Sequence, residues 1–274
     1  MQFSNLALSR RLERAEGFAC AECADARRRL FPDSGAEWIE CAGTYAVFNG
    51  VNSPITQTFG LGLFEELTSS ALDTIETFFF DRGADVIHEV SPFAGVAALD
   101  LLCARAYRPI EISSVMYRPV EVPPVGLTGS LSVRVISNDE ASLWADISAR
   151  GWSSGDPDLM EFIREYGGIS TACEDNRCFI AEIDGQPGAA GALWIHEGVA
   201  LFGGAATIPE MRRRGLQGAL LQERMRYAAE QGCDLAMMVA EAGSESQRNT
   251  ERKGFQIAYT RLKWRKPHRV PSTI

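Results

Sequence analysis

The stretch that decides the fold is "ATIPEMRRRGLQGALL", residues 205–220. It reads as the end of a strand, three arginines (Arg212–Arg214), two glycines and the start of an amphipathic helix. The first turn of a helix carries unpaired backbone N–H groups and the positive end of the helix dipole. The stretch therefore predicts an anion-binding site at a helix N-terminus.

Length and composition favour a soluble globular protein. The chain has 274 residues, 46% of them hydrophobic and 23% charged, which suits one large domain or two medium ones. A net charge of -9 argues against bulk binding to nucleic acid or to an anionic membrane. No apolar run approaches the roughly 18 residues of a membrane span, and "MQFSNLALSRRLERAEG" is too charged for a signal peptide. We expect a cytoplasmic protein.

The cysteines do not predict a metal site. Cys20 and Cys23 form a C-x-x-C pattern, but zinc binding needs a second pair of ligands at a matching spacing. The histidines His88, His196 and His268 do not supply that pair. Seven cysteines without secretory context indicate mostly buried thiols in a reducing compartment, and we expect no metal.

Two segments of the chain share one plan of elements. Residues 79–120 and 228–267 both read as a helix end, a glycine, a buried strand, a polar loop, a short helix, an aromatic residue and a long strand. Their glycines, Gly83 and Gly232, are 149 positions apart. Such a period predicts two similar domains in tandem.

The proline-containing segment "VEVPPVGLTGS" lies between these repeats. We therefore expect domains at residues 1–122 and 131–274, joined by a linker at 123–130. Each domain is expected to contain a mixed, mostly antiparallel sheet flanked by helices, in the α/β (α+β) class. Within the second half, periodicity predicts the order strand, two helices, three strands, helix, strand, helix, strand.

This second half resembles the GNAT superfamily, the GCN5-related N-acetyltransferases. The family signature is Q/R-x-x-G-x-G/A at the junction of the fourth strand and the third helix. Arg212 and Gly215 match its first two specified positions, whereas Gln217 departs from the third and Gly218 follows it. "GSESQRNTERKGF" is similar to the family's fourth helix and to the Gly-Phe that opens its last long strand. The resemblance covers about residues 131–266.

The resemblance implies that the anion is the pyrophosphate of coenzyme A, with acetyl-CoA as the acyl donor. Backbone groups of the fourth strand would pair with the pantetheine arm, and N–H groups at the helix start would hold the pyrophosphate. Gly204 opens the strand segment concerned. The residues expected to bind the cofactor are Ala205, Ala206, Thr207, Arg212, Arg213, Arg214, Gly215, Leu216, Gln217, Gly218, Ala219, Ser246 and Asn249.

The first repeat lacks the features that this site needs. Phe202 to Gly232 spans 30 positions, but the equivalent Phe59 to Gly83 spans 24. The missing residues fall where the anion-binding loop should be, and "GLGLFEELTSS" carries Glu65 and Glu66 in place of arginines. The N-terminal half is therefore expected to be a degenerate GNAT-like domain that has lost coenzyme A binding.

The family reaction implies a general base and an acid for the leaving thiolate. Glu241 after an apolar strand and Glu197 before the fourth strand are the candidate bases. Many family members use a tyrosine on the fourth helix as the acid, but Thr250 stands at that position. Ser246, Asn249 and Tyr259 are the possible substitutes.

The acceptor amine is not identified by the sequence. Four aromatic residues on the first two helices of the second half occupy the region that lines the acceptor site in this family, or belong to the core: Trp144, Trp152, Phe162 and Tyr166. We expect a small-molecule or peptide amine, no nucleic-acid or membrane partner, and a monomer or homodimer. Two alternatives stay open: a non-catalytic acyl-CoA sensor, and an acyl or aminoacyl transferase with a different donor.

Overall fold

The computed structural model describes residues 3–122, 126, 129–153 and 156–268, and these residues have the predicted α/β fold. The helices are α1 (Leu6–Leu30), α2 (Ser69–Phe80), α3 (Gly95–Ala104), α4 (Ala141–Trp152), α5 (Pro157–Thr171), α6 (Leu216–Glu230) and α7 (Glu245–Glu251). The strands are β1 (Glu37–Cys41), β2 (Thr44–Phe48), β3 (Gln57–Phe59), β4 (Val86–Val90), β5 (Arg108–Pro119), β6 (Leu131–Val135), β7 (Asn176–Ile183), β8 (Gln186–His196), β9 (Val199–Thr207), β10 (Leu235–Glu241) and β11 (Gln256–Lys266). Residues 123–125, 127 and 128 of the predicted linker lie outside the described residues.

The element order contains the predicted repeat. The first repeat runs β1, β2, β3, α2, β4, α3, β5, and the second runs β7, β8, β9, α6, β10, α7, β11. Helix α1 precedes the first repeat, whereas β6, α4 and α5 precede the second. The fold therefore consists of two tandem repeats of one α/β plan. In the described part of the chain, no helix combines the length and hydrophobicity needed to cross a bilayer.

Contacts divide the chain into two compact units. Unit 1 combines the residues up to Tyr117 with those from Val239 onward, and unit 2 is Arg118–Met238. The last helix and strand of the second repeat thus belong to the unit that contains the first repeat. The division into domains at 1–122 and 131–274 stays a prediction about the chain, while these units describe how its residues pack.

Unit 1 is built on a sheet with the order β1-β2-β3-β4-β11-β5. Strand β11 lies between β4 and β5 and is antiparallel to both, with Leu262 opposite Val90 and Thr260 opposite Ser114. Only the β3–β4 pair in this unit is parallel among the described strands. The final strand of the chain therefore completes the sheet of the first repeat.

Both faces of strand β2 are covered, and its side chains alternate between them. Tyr45 and Val47 pack in the cluster that contains residues of α1, whereas Ala46 and Phe48 pack in the cluster that contains residues of α2. All five residues of the strand are buried, which explains why "TYAVF" has no polar-apolar alternation. The two helices thus form layers on opposite faces of the strand.

A buried ionic cluster links the two ends of the chain within unit 1. Arg261 of β11 is 1% exposed, and its Nη1 lies 2.9 Å from Glu13 Oε1 and 2.7 Å from Glu16 Oε2, both on α1. Its Nε lies 3.0 Å from Glu89 Oε2 on β4, and Lys263 Nζ lies 3.3 Å from Glu89 Oε1. Burial opposes the charge of Arg261, but the surrounding carboxylates outweigh it and raise its pKa. Helix α1 and strand β11 are therefore joined by paired buried charges.

Unit 2 contains strands in the order β10-β9-β8-β7-β6, with β10 contributing only residues 235–238. The β6–β7, β7–β8 and β8–β9 pairs are antiparallel, and β9–β10 is parallel. Asp184 and Gly185 form the two-residue turn between β7 and β8, both at positive φ as a tight hairpin requires. Helix α6 packs against β6–β9, while α4 packs against β8 and β9 and α5 against α4 and β7. Both units have the predicted mixed, mostly antiparallel sheets.

We predict that Arg261→Met lowers the free energy of unfolding by about 3–5 kcal/mol, because it leaves buried carboxylates without their main partner. The matched control is Arg265→Met on the same strand, where the arginine is half exposed and pairs with Asp85. That control is expected to cost less than about 1 kcal/mol. Urea unfolding of the three proteins measures both values, and equal losses would contradict the stabilising role of the cluster.

We also predict that the free energy of unfolding depends on pH through His88. His88 of β4 is fully buried, its Nδ1 lies 2.7 Å from Thr58 Oγ1, and burial followed by the charge of Lys266 lowers its pKa to about 3. The unfolded chain therefore binds a proton below about pH 6.5 that the folded chain does not bind. The free energy of unfolding should fall by up to about 1.4 kcal/mol per pH unit between about pH 6 and pH 4 from this group alone.

In His88→Gln this part of the pH dependence should disappear. Urea unfolding at several pH values between 7 and 4 measures the difference. The control is Ile75→Val in the same unit, which should cost about 0.5–1.5 kcal/mol while keeping the wild-type pH dependence. A His88→Gln profile parallel to that of the wild type would contradict the low pKa.

Candidate functional site

The N-terminus of α6 is not capped by a side chain. Gly215 occupies the N-cap position at φ 91°, and the first turn contains no acidic residue. The first hydrogen bond of the helix runs from the Ala219 N–H to the Gly215 carbonyl at 3.0 Å. The N–H groups of the preceding residues, Leu216 to Gly218, therefore have no partner within the helix. They form the positive end of a helix of 15 residues.

The loop before α6 has an unusual backbone. A short 3-10 turn, Pro209–Met211, follows β9, and the buried Met211 anchors it. Arg213 has φ 62° and Gly215 has φ 91°, so two left-handed residues lie on either side of Arg214. A left-handed arginine is uncommon, since L-residues with a Cβ disfavour this region. The loop is therefore bent. Glycine adopts the left-handed conformation at position 215 without the steric cost that a Cβ imposes.

The three arginines of the loop have different environments. Arg212 donates from Nε to the Thr207 carbonyl at 3.2 Å and from Nη2 to the Gly151 carbonyl at 3.0 Å. These bonds fix the loop to the end of β9 and to α4. Arg213 and Arg214 are exposed, and no hydrogen bond or ion pair of their side chains occurs among the described residues. They are the two cations of the loop that are available to an anion.

Gln217, which departs from the family signature, has a structural contact. Its Nε2 donates to the hydroxyl oxygen of Thr207 at 2.9 Å. The first turn of α6 is therefore tied to the end of β9. Through these bonds of Arg212 and Gln217, the structure brings together two groups of predicted cofactor residues, those at 205–207 and those at 212–219.

Strand β9 has an open edge. It pairs with β8 over most of its length, but its parallel pairing with β10 is confined to Val199–Leu201. In the described residues, no strand pairs with this second edge of β9 beyond Leu201. The backbone N–H and C=O groups along it can pair with an extended ligand, as an added strand would.

A β-bulge interrupts β9 along this open stretch. Ala192 of β8 lies opposite Gly203, but Ala190 lies opposite Ala206, so Gly204 and Ala205 together face Gly191. Gly204 has φ 60° and is exposed. A bulge bends the strand and redirects its backbone groups. The paired glycines of "LFGGAAT" are the sequence signal for this bulge, which was not among the predicted features.

A buried arginine lies under the bulge. Arg224 of α6 is 1% exposed, and its Nη1 donates to the Ala192 carbonyl at 2.9 Å and to the Gly203 carbonyl at 3.2 Å. Its Nε donates to the Leu220 carbonyl at 3.2 Å, and its guanidinium carbon lies 5.1 Å from the centre of the Phe202 ring. Burial lowers its pKa to about 10, so it stays charged at neutral pH. Arg224 was not among the predicted site residues either, although a charge on the apolar face of α6 is its sequence signal.

Predicted site residues of the acceptor side lie on α4 and α5. Trp144 is 2% exposed, and its Nε1 donates to the Phe179 carbonyl at 3.1 Å, so it belongs to the core of unit 2. Its ring lies beside Gly204. Trp152 and Phe162 are exposed, and Tyr166 is partly buried. A role for these aromatics in acceptor binding stays a prediction.

The candidate bases have different positions. Glu197 lies in the turn between β8 and β9 at φ 45°, at the end of β9 opposite to the α6 loop. At about 3.3 Å per residue, the bulge begins roughly 13 Å along the strand from Val199. Glu241 is exposed at the end of β10, in unit 1. Both assignments stay predictions.

The remaining candidates lie in unit 1. Ser246 and Asn249 are exposed on α7. Thr250 is buried and donates to the Ser246 carbonyl at 2.9 Å, where a family tyrosine would stand. Tyr259 is buried, donates to Glu13 Oε1 at 2.9 Å, and has a pKa raised by burial and by that carboxylate. Its role as an acid stays a prediction, and its hydroxyl is already engaged within the core.

Comparisons with known proteins give a family match for part of the chain and a shared fold for most of it. Residues 142–255 match the model of the acetyltransferase (GNAT) family. A comparison with curated proteins finds no match. Among solved structures, a GCN5-related N-acetyltransferase from Kribbella flavida superposes with a TM-score of 0.61 at 17% identity, covering 90% of this chain and 95% of that one.

Two further structures share the fold over most of the chain. A GCN5-related N-acetyltransferase from Sphaerobacter thermophilus gives a TM-score of 0.56 at 17% identity, covering 94% of this chain and 92% of that one. A tandem GNAT protein from the clavulanic acid biosynthesis pathway gives a TM-score of 0.57 at 11% identity, covering 84% of this chain and 79% of that one. The chain therefore has the tandem fold of GCN5-related N-acetyltransferases, and its residues 142–255 are a match to the GNAT family.

Proposed function

We propose that the protein is an N-acetyltransferase that transfers the acetyl group of acetyl-CoA to an amine. The observation that carries the proposal is the uncapped, arginine-flanked start of α6 next to the open, bulged edge of β9. Acetyl-CoA supplies a pyrophosphate, a pantetheine arm with amide groups, and a thioester whose carbonyl carbon is open to attack by an amine. Each of these three parts has a matching feature in unit 2.

The start of α6 fits the pyrophosphate. The N–H groups of Leu216 to Gly218 have no intrahelical partner, and Arg213 and Arg214 are exposed beside them. Backbone donors, the helix dipole and two exposed cations together favour a doubly charged anion. Arg212, in contrast, would act indirectly by holding the loop in its bent conformation.

Helix α2, the equivalent helix of the first repeat, is less suited to anion binding than α6. Helix α2 begins after Thr68, whose side chain accepts a hydrogen bond from the Ala71 N–H at 3.1 Å. This helix therefore satisfies a donor that an anion would otherwise use. Its preceding loop contains the exposed Glu65 and Glu66, which repel phosphate. We propose that only the second repeat binds coenzyme A.

The open edge of β9 fits the pantetheine arm and the thioester. Residues 204–207 offer backbone donors and acceptors to the amides of the arm. The bulge interrupts the regular ladder at Gly204, and we propose that the Gly204 N–H donates to the thioester carbonyl. Attack by the amine forms the C–N bond and breaks the C–S bond, while the amine loses a proton and the thiolate gains one.

We propose carriers for the two proton transfers of this reaction. Glu241 is our proposed base because its carboxylate is exposed at the end of an apolar strand. Ser246 and Asn249 are proposed to contact the cofactor or the leaving thiolate. The buried Thr250 replaces the family tyrosine, so a solvent proton is the simplest source for the thiolate. A non-catalytic acyl-CoA sensor and a transferase with another donor are the alternative functions.

The proposal predicts one-to-one binding of acetyl-CoA in calorimetry. An Arg213→Ala/Arg214→Ala double variant should bind about five- to thirtyfold more weakly, since each exposed cation contributes about 0.5–1 kcal/mol. The difference should shrink at high salt. The charge-matched control is Arg28→Ala/Arg29→Ala, which removes two exposed arginines from the last turn of α1 and should bind as the wild type does.

Thiol release in the presence of an amine panel then separates an enzyme from a sensor. Competition among acyl-CoA donors and aminoacyl-tRNA separates the possible donors, and Glu241→Gln tests the base. A folded wild type that binds no acetyl-CoA would refute the proposed function. Equal binding by the double variant and the wild type would refute the location of the pyrophosphate.

A further inference from the structure

Arg224 is a buried cation without a carboxylate partner. Among the described residues, no acidic side chain forms an ion pair with it, and its guanidinium group bonds only backbone carbonyls. Burying an arginine in this way costs free energy that an apolar residue would not cost. Two nitrogens of its guanidinium group, Nε and Nη1, thus donate to the backbone of α6, β8 and β9.

Two of these bonds converge on the bulge. Nη1 contacts the Gly203 carbonyl on β9 and the Ala192 carbonyl opposite it on β8. Gly191, which faces the bulge, has no side chain, and a Cβ there would lie 3.1 Å from the guanidinium carbon. The lack of a side chain at position 191 therefore makes room for the guanidinium under the two bulge residues of β9.

The peptide group that Arg224 holds is the one that carries the Gly204 N–H. In a trans peptide, the carbonyl of Gly203 and the N–H of Gly204 point in opposite directions. A cation bonded to the carbonyl draws electron density through the conjugated amide and makes the N–H a stronger donor. The same bond fixes the direction of that N–H, which points away from Arg224.

We propose that Arg224 is a positioning residue that fixes and polarises the Gly203–Gly204 peptide group, so that the Gly204 N–H binds the acyl carbonyl of the donor. This inference rests on the proposed acetyl transfer, because the carbonyl belongs to the thioester. It gives Arg224 a role in recognising the acyl group. This role is distinct from the anion binding at the start of α6.

The first test reads the peptide group directly, without any ligand. In Arg224→Met the 15N resonance of the Gly204 amide should move upfield relative to the wild type, because its carbonyl loses a charged partner. The matched control is Arg226→Met, which removes an exposed arginine two positions away that pairs with Glu223 and Glu230. An unchanged Gly204 resonance in folded Arg224→Met would overturn the proposal.

The second test compares acetyl-CoA with CoA in calorimetry. Arg224→Met should lower the preference for acetyl-CoA over CoA by about two- to tenfold, the effect of weakening one hydrogen bond. Affinity for CoA itself should fall less than affinity for acetyl-CoA, since CoA has no acyl carbonyl and its pyrophosphate is proposed to bind at the start of α6. Arg224→Lys, which keeps a cation that donates to carbonyls, should retain most of the preference. An equal loss for both ligands would indicate a merely structural role and overturn the proposal.

The experiments distinguish failure of the proposed function from failure of the proposed role of Arg224. If the wild type binds neither acetyl-CoA nor CoA, the proposed function fails, while the Gly204 resonance still reports on the peptide group. If the wild type binds acetyl-CoA but Arg224→Met keeps its preference, only the role of Arg224 fails. Should Arg224→Met not fold, Gly191→Ala displaces the guanidinium by its added Cβ and is expected to shift the Gly204 resonance.

Discussion

A helix must find partners for its first backbone N–H groups, and the two repeats meet this constraint in opposite ways. Helix α2 uses its own Thr68, whereas α6 begins at Gly215 with no side-chain acceptor. The preceding loops differ as well, since the loop before α6 contains arginines and the loop before α2 contains glutamates. An element plan that occurs twice in one chain can therefore bind an anion in one copy and be closed to it in the other.

Arg261 and Arg224 are both buried, and different partners compensate for the loss of hydration of their charges. Arg261 is surrounded by carboxylates of α1 and β4, and it joins the first helix to the last strand within unit 1. Arg224 has only carbonyl partners, and it holds the bulge of β9. A paired buried charge is one means of fixing which segments pack together. An unpaired one is retained against its cost, and we connect that cost with function.

Much of the fold could be predicted because helix and strand periods differ and because the repeat is visible in the sequence. The element order of the second half and the anion-binding appearance of residues 205–220 rest on local patterns. The placement of β11 between β4 and β5 could not be predicted, since strand pairing over long separations has no local signal. Likewise, the sequence names Tyr259 as a possible acid on the last strand but does not show that its hydroxyl is buried and donates to Glu13 of α1. The role of Arg224 needed the position of the bulge in space.

The central claim is that the second repeat binds acetyl-CoA by the start of α6 and the open edge of β9. The most direct measurement is a crystal structure of the protein with acetyl-CoA. We expect the pyrophosphate within hydrogen-bond distance of the N–H groups of residues 213–218 and the acetyl carbonyl at the Gly204 N–H. Coenzyme A bound instead beside residues 60–68 of the first repeat, or with its acyl group away from the bulge, would contradict it.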